Sequence, residues 1–150
     1  GIVVKGIHDV AVRFSKCCSP IPGDEIVGFI TRGRGISIHR TDCVNVIALP
    51  ESEKSRLVDV EWQQESFHSN EKFMAEIKIF CNNRIGIFAD ISKIFTEREI
   101  DIASMSSKTS KQGTATINMS FEVGGVDALQ QLINRLMAVN SVIDIERSNG

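Results

Sequence analysis

The sequence predicts an α+β protein made of two small units joined by a linker. Segment 63–72, QQESFHSNEK, is polar and shows no hydrophobic periodicity, as expected of a long loop between domains. The residues before it form short β-branched runs separated by turn residues, which predicts a mostly β unit. The residues after it alternate between strand-like and helix-like periodicity in the order β-α-β-β-α-β.

The first unit is predicted to contain several short strands and one short helix. IVVKGI and VAVRF are rich in β-branched residues, EIVGFI and GISIHR flank the turn TRGRG, and RLVDVEWQ alternates as a final strand. TDCVNVIAL is predicted to be a helix capped by Thr41 or Asp42 and ended by Pro50. A unit this small often needs a cross-link such as a metal ion for stability.

The second unit is predicted to have the ferredoxin-like arrangement of four strands and two helices. Its strands are FMAEIKIFC, then IDIASMSSKTS and GTATINMSFEV around the turn KQG, and finally VIDIER. The helices are IGIFADISKIFTERE and VDALQQLINRLMAV, in which apolar residues recur at helical spacing. The stripes predicted to face the sheet are Ile87, Phe88, Ile91, Ile94 and Phe95, and Val126, Leu129, Leu132, Ile133 and Leu136. With both helices on one face, the open face is expected to need cover from a partner or a second copy.

Composition places the chain among ordinary globular proteins. It has 150 residues, 42% of them hydrophobic, and a formal net charge of -2. No apolar run reaches the roughly 18 residues that a membrane span needs, and no signal peptide is recognisable. We therefore expect a cytoplasmic protein, and the missing initiator methionine indicates a piece of a longer one.

Three of the four cysteines, Cys17, Cys18 and Cys43, lie in the first third of the chain and are spaced with His39 as C-C-x20-H-x3-C. In a reducing compartment, clustered thiols favour a metal over disulfides, and four Cys or His ligands suit tetrahedral zinc. The i,i+4 spacing of His39 and Cys43 would place both on one face of a helical turn. Two alternatives remain: unrelated buried thiols, or a site in which Asp42 replaces one cysteine.

The other candidate ligands receive simpler interpretations. His8 and His68 are expected to be surface or loop residues. Cys81 ends a predicted strand and is expected to belong to the core or a sheet edge rather than to a metal site.

Residues 16–43, KCCSPIPGDEIVGFITRGRGISIHRTDC, closely resemble the zinc-finger-like (RIS/CC) region of the long RelA/SpoT-type (Rel) stringent-response enzymes, which make and hydrolyse (p)ppGpp. The second half resembles the ACT domain at the C-terminus of the same enzymes. The resemblance implies a zinc-finger-like domain over 1–64, a linker over 65–72 and an ACT domain over 73–150. It places the zinc ligands on Cys17, Cys18, His39 and Cys43, although some members of the family hold the same fold with an empty site.

The resemblance also implies a regulatory tail that binds ribosomal RNA when the ribosome stalls with uncharged tRNA. Local charge agrees, because Lys and Arg outnumber Asp and Glu between residues 13 and 42. The RNA contacts expected are the cations Lys16, Arg32, Arg34 and Arg40. The glycine-rich turn TRGRG can approach a phosphate backbone closely, and His39 and Arg40 are expected beside it. The alternative is a solvated hairpin tip. No aromatic platform for single-stranded nucleic acid is recognisable.

A second hypothesis is a small-molecule sensor. The ligand-sensing turn of ACT domains corresponds to NNRIGIF, and the residues expected at a ligand or dimer interface are Asn82, Asn83, Ile85, Gly86 and Ile87. Some ACT domains of this kind sense branched-chain amino acids between two copies, so a homodimer through the ACT sheet is expected. Asn82 and Asn83 stand where many ACT domains have an acidic residue, which argues against recognition of an amino group by charge. The alternative to ligand sensing is a turn that only packs against a second copy or the neighbouring domain.

Catalysis by this chain is not expected, because it contains no P-loop, nucleophile elbow or H-E-x-x-H motif. A zinc ion with four protein ligands is also structural rather than catalytic. The resemblance assigns GTP pyrophosphokinase or (p)ppGpp 3'-pyrophosphohydrolase activity, or both, to N-terminal domains of the parent protein. Those domains and the ribosome are the expected partners; a membrane and DNA are not.

Overall fold

Two α+β units make up the chain. The computed structural model describes residues 1–4, 10–33, 35–63, 67 and 70–148. The first unit comprises Gly1–Glu71 with Ser148–Gly150, and the second comprises Lys72–Arg147. The α+β class predicted from the sequence is confirmed.

The described part of the first unit contains six short strands in two sheets. The strands are β1 (Ile2–Val4), β2 (Val12–Phe14), β3 (Ile26–Ile30), β4 (Ile36–Arg40), β5 (Leu57–Val58) and β6 (Val60–Trp62). β1 and β6 form an antiparallel pair. The other four have the order β2-β4-β3-β5, in which β2 runs parallel to β4 and the remaining pairs are antiparallel. The sheets position the loop after β2 beside the end of β4.

One predicted strand of this unit is divided in two. The expected single strand RLVDVEWQ breaks at Asp59, so that β5 pairs with β3 while β6 pairs with β1. A strand hydrogen-bonds to only two neighbours, and the break lets one run of sequence complete both sheets. Val60, immediately after the break, enters the core.

The predicted helix of the first unit is shorter than expected. α1 spans Val44–Ile47, follows Cys43, and has no side-chain cap, so the expected capping by Thr41 or Asp42 is wrong. The Asp42 carboxylate instead accepts hydrogen bonds from the Arg40 guanidinium. A 3-10 helix at Glu51–Arg56, which the sequence pattern did not predict, follows Pro50.

The apolar core of the first unit is small. Its buried cluster is Val4, Ile36, Ile38 and Val60, against which half-buried aliphatic side chains pack. A core of this size contributes modest stability, and small domains commonly depend on an additional cross-link. The cysteine-rich end of β4 is where such a cross-link would act.

The second unit has the predicted element order. Its strands are β7 (Phe73–Asn82), β8 (Ile102–Thr109), β9 (Thr114–Val123) and β10 (Val142–Arg147), and its helices are α2 (Ile87–Glu97) and α3 (Val126–Met137). The sheet order is β10-β7-β9-β8, with antiparallel pairs throughout. This is the ferredoxin-like arrangement.

Burial in the second unit follows the predicted periodicities. Along β7, alternate residues from Phe73 to Cys81 are buried while those between them are mainly exposed. The helices bury Ile87, Ile91 and Phe95, and Leu129, Leu132 and Leu136. Phe95 meets Phe121 of β9 edge to face, with ring centroids 5.1 Å apart. The other stripe residues, Phe88, Ile94, Val126 and Ile133, are half-buried because they lie at the margins of the stripe.

The open face of the two central strands, β7 and β9, is more polar than expected. Apart from Met74, 43% exposed, and the half-buried Phe80, the outward residues of β7 and β9 are polar or charged. They include Glu76, Lys78, Thr116, Asn118, Ser120 and Glu122. The two central strands therefore present little apolar surface that requires cover, whereas the edge strands β8 and β10 expose Met105 and Ile143. Among the described residues, no helix is long and apolar enough to span a membrane.

Candidate metal centre

Four predicted ligands meet at one point of the first unit. The Cys17 sulfur lies 3.9 Å from the Cys18 sulfur, 3.5 Å from the Cys43 sulfur and 3.4 Å from His39 Nδ1. Cys18 Sγ lies 3.8 Å from the same nitrogen. All four ligand atoms are within 4.8 Å of one another. The cluster can therefore hold a single metal ion.

Two turns create this convergence. Cys17 and Cys18 lie in a turn after β2, closed by a hydrogen bond from the Ser19 amide to the Ser15 carbonyl, so they avoid the opposite orientations of neighbouring strand residues. His39 is on β4, and Cys43 follows in a turn whose amide donates to the Arg40 carbonyl. The expected helical turn containing His39 and Cys43 is therefore wrong; a strand end and a turn achieve the same proximity.

Neighbouring hydrogen bonds orient the ligands. His39 Nε2 lies 3.1 Å from the Ser37 hydroxyl, and donation from this nitrogen leaves the Nδ1 lone pair directed at the sulfurs. The Arg40 backbone amide donates to Cys18 Sγ at 3.3 Å. The Ser15 hydroxyl lies 3.0 Å from Cys17 Sγ. Such contacts favour sulfur as a thiolate, the form that binds metal.

The ligand pKa values differ because their surroundings differ. Burial raises the pKa of Cys18 to about 12, and burial also raises that of Cys43. Burial would raise the pKa of Cys17 too, but hydrogen bonds, the strongest from Ser15, outweigh it and lower that pKa. Burial, assisted by Arg13, lowers the pKa of His39, which keeps the imidazole neutral and available as a ligand.

The spacing fits a tetrahedral ion. Metal–sulfur bonds of about 2.3 Å place tetrahedral ligands about 3.8 Å apart, close to the distances of 3.4–3.9 Å around Cys17 and Cys18. Asp42 is not needed as a ligand, because four other ligands converge and its own carboxylate is paired with the Arg40 guanidinium at 2.6 Å.

Cys81 belongs to the second unit, where its buried thiol donates to the Ala115 carbonyl. Its predicted place in the core agrees with this geometry.

The predicted RNA contacts that the structure describes lie near opposite ends of the β3–β4 hairpin. Arg32 is exposed at the tip, whereas Lys16 is exposed beside Cys17 at the opposite end. The four residue-to-residue steps of β4 between Ile36 and Arg40 correspond to roughly 13 Å. Arg34, like His8 and His68, lies outside the described residues.

The placement of Arg40 argues against an RNA contact. This side chain is buried, pairs with Asp42, and donates from Nη1 to the Cys18 carbonyl. The register pairs Arg40 with Ile26, whereas Ile36, next to the tip, pairs with Ile30. The expectation that His39 and Arg40 lie beside the tip is therefore wrong. Arg40 instead fixes the turn that carries Cys43.

Glycines shape the hairpin tip. Gly35 has a φ of +76°, and a Cβ there would lie 2.2 Å from the Ala11 carbonyl oxygen. The Thr31 amide and hydroxyl both donate to the Gly35 carbonyl, which closes the tip. Gly33 also has positive φ, but the space around it is open. Its backbone is therefore accessible to a large partner.

The predicted ligand turn of the second unit connects β7 to α2. The Asn82 amide donates to the Ser141 carbonyl, the Asn83 amide donates to the Gly113 carbonyl, and Gly86 adopts a φ of +83° at the start of α2. Ile85 is 100% exposed. Ile87 was expected at an interface, but it is fully buried and belongs to the core of the unit. Its place in the apolar stripe of the predicted helix already favoured burial.

Arg84 is a residue that the sequence analysis missed. Its guanidinium pairs with Asp90 of α2 at 2.8 Å and donates to the Asn140 carbonyl. These contacts fix the turn to α2 and to the segment before β10. The sequence signal for this ion pair was Arg84 just before the predicted helix together with Asp90 in the first turn of that helix.

Comparison with known proteins agrees with these two units. The family model of the RelA/SpoT RIS domain matches residues 2–63, and that of the ACT domain matches residues 69–147. A GTP pyrophosphokinase of Streptomyces coelicolor is 36% identical over 147 residues, which cover 98% of this chain and 17% of the relative. A GTP pyrophosphokinase of Escherichia coli K12 is 37% identical, with coverage of 99% and 20%.

The chain thus spans about a fifth of the length of the curated relatives it matches. Among solved structures, the ACT domain of a Chlorobium tepidum GTP pyrophosphokinase is 26% identical, covers 51% of this chain and 99% of its own, and has a TM-score of 0.46. The two matched domains account for nearly all of the sequence. The chain therefore belongs to the RelA/SpoT family and corresponds to the C-terminal regulatory region of its long members, in which a RIS domain is followed by an ACT domain.

Proposed function

We propose that this region binds ribosomal RNA and transmits amino-acid starvation to catalytic domains elsewhere in the parent polypeptide. The observation that carries the proposal is the meeting of Cys17, Cys18, His39 and Cys43 at one point. A metal ion bound there would fix the loop after β2 to the end of β4. The hairpin that presents Arg32 would then be rigid before RNA binds, which reduces the entropy lost on binding.

Zinc is the ion that this donor set suits best. Three sulfurs and one imidazole form a closed shell, so the metal would contribute stability and leave no open position for water. The proposed role is structural, and the parent's GTP pyrophosphokinase or (p)ppGpp hydrolase activity would belong to other domains.

The proposed RNA contacts are Arg32, Arg34 and Lys16. Overall charge does not drive binding, because the chain carries a net charge of -2. Binding would instead depend on a few local cations, of which Arg32 and Lys16 are exposed, with the open backbone at Gly33 allowing close approach to phosphate. Arg40 is left out because its guanidinium is already engaged.

Ribosome association of the isolated chain tests this proposal. Arg32→Ala, Arg34→Ala and Lys16→Ala should each weaken binding to purified ribosomes and reduce the slope of log affinity against log salt by about one. Lys111→Ala, which removes an exposed cation from the second unit, is the control and should bind normally. Unchanged affinity and slope in the three variants would exclude these contacts.

In the parent, ribosome docking would favour the conformation in which the catalytic domains make (p)ppGpp. The coupling requires that the ribosome bind one conformation more tightly than the other. A cytoplasmic location follows from this proposed partner.

Amino-acid sensing by an ACT pair is the second candidate function. Ile85 is completely exposed beside the left-handed Gly86, an apolar side chain that a second copy or a ligand could cover. Titration with a branched-chain amino acid, followed by calorimetry and native mass, tests this. Ile85→Ser should abolish binding, whereas Ile143→Ser, a change at an exposed isoleucine of β10, should not. Absence of heat for the unmodified chain would exclude the sensor.

A further inference from the structure

The four cysteines differ sharply in accessibility. Cys18, Cys43 and Cys81 are 1%, 0% and 1% exposed, whereas Cys17 is only partly buried. Cys17 is therefore the cysteine of the cluster that a small oxidant in solvent can approach most easily. The Cys17 sulfur also lies 3.0 Å from the Ser15 hydroxyl, which can donate to it and stabilise negative charge.

The nearest second sulfur belongs to Cys43. Its Sγ is 3.5 Å from that of Cys17, compared with 3.9 Å for Cys18. A bond between Cys17 and Cys18 would close a strained ring of adjacent residues. Cys18 is also held in place by the Arg40 amide. Geometry therefore makes Cys43 the partner of Cys17.

We propose that Cys17 and Cys43 form a peroxide-reactive pair that converts to a disulfide. The Cys17 thiolate attacks one oxygen of hydrogen peroxide, the O–O bond breaks, and hydroxide leaves as Cys17 becomes a sulfenic acid. Cys43 sulfur then attacks that sulfur, the S–O bond breaks, and hydroxide leaves, with the Cys43 proton completing a water. In total, two thiols and one peroxide give one disulfide and two waters.

This chemistry would control the metal site. A Cys17–Cys43 disulfide removes two of the four ligands, so Cys18 and His39 alone could not retain an ion in a closed shell. Thiol reductants reverse the bond and restore the ligand set. The inference rests on the sulfur cluster and not on RNA binding, so it can fail or succeed separately from the proposed function.

Peptide mapping of the unmodified chain tests the pair directly. After hydrogen peroxide treatment and trypsin digestion without reductant, peptide 17–32 should be joined to peptide 41–54, with an intact-mass loss of roughly 2 Da. Fragmentation should assign the link to Cys17. In chain loaded with zinc beforehand, a chromogenic chelator should detect zinc release in step with the link. A Cys17–Cys18 or intermolecular link, or over-oxidised Cys17 without a link, would overturn the inference.

Variants assign the order of reaction. Cys43→Ser should stop at a Cys17 sulfenic acid that dimedone traps, and Cys17→Ser should remain unmodified at the same peroxide dose. Cys81→Ser, which changes a thiol of the second unit, is the control and should form the link normally. Equal oxidation in the Cys17→Ser variant would contradict the proposal. Mapping of the unmodified chain decides the case even if a variant does not fold.

Discussion

Single residues at the cluster combine two opposing requirements. Cys18 is buried and its pKa is about 12, so the metal-free thiol keeps its proton at neutral pH. Metal binding requires the thiolate. Burial therefore protects the site but makes its affinity depend on proton release.

Zinc affinity should accordingly rise with pH. Cys18 and Cys43 both have pKa values raised by burial, so binding at neutral pH expels at least two protons. The apparent association constant should increase at least about 100-fold from pH 6.5 to 7.5, measured by competition with a chromogenic chelator. Cys81→Ala, far from the cluster in sequence, should show the same slope. A constant affinity would mean that the thiols are already ionised.

Two glycines of the hairpin tip should respond differently to alanine. Both have positive φ, which costs an alanine about 1–2 kcal/mol. Gly35→Ala additionally places Cβ 2.2 Å from the Ala11 carbonyl oxygen, whereas Gly33→Ala meets open space. We expect Gly35→Ala to lower the free energy of unfolding by at least about 2 kcal/mol more. Urea denaturation followed by Trp62 fluorescence measures this, and equal effects would refute the contact.

At the scale of elements, β4 connects the glycine-rich hairpin tip to the cysteine cluster. Its first residue, Ile36, follows the tip, and its last two residues are His39 and Arg40. The sequence predicted this strand correctly but placed His39 and Arg40 beside the tip. A strand's length and register decide which end a residue occupies, and register became visible only through pairing with β3.

The helices of the second unit allow a matched test of burial. Leu132 and Ile133 are neighbours on α3 and both were predicted to face the sheet, yet Leu132 is fully buried and Ile133 is half-buried. Leu132→Ala should lower the free energy of unfolding by about 3 kcal/mol and Ile133→Ala by about 1 kcal/mol. Far-UV circular dichroism during urea denaturation measures both. Similar losses would show that the two side chains are equally enclosed.

At the scale of the whole molecule, the two units differ in how they are stabilised. The second unit has a four-stranded sheet with two amphipathic helices and a buried aromatic pair. The first has short strands, a small aliphatic cluster and the four convergent ligands. Metal removal should therefore affect the first unit alone.

Chelation is expected to lower the stability of the first unit by several kcal/mol. The single tryptophan, Trp62, lies in this unit, stacks on Phe14 and donates to the Asp24 carbonyl, so its fluorescence reports unfolding there. Cys18→Ser should reproduce the effect of chelation, whereas Cys81→Ala should not. Helical circular dichroism from the second unit should melt unchanged. An unaltered fluorescence transition after chelation would remove the structural role of the metal.

The sequence by itself determined the order of strands and helices in the second unit and the identity of the four candidate ligands. Alternating burial along β7 and helical spacing in α2 and α3 are local properties, so periodicity predicts them. The tertiary structure alone decided that the ligands converge, that Arg40 is buried against Asp42, and that RLVDVEWQ divides between two sheets. These outcomes depend on turns and strand register, which local periodicity does not report; the cysteine turn and the end of β4, for example, lie more than twenty positions apart in the sequence.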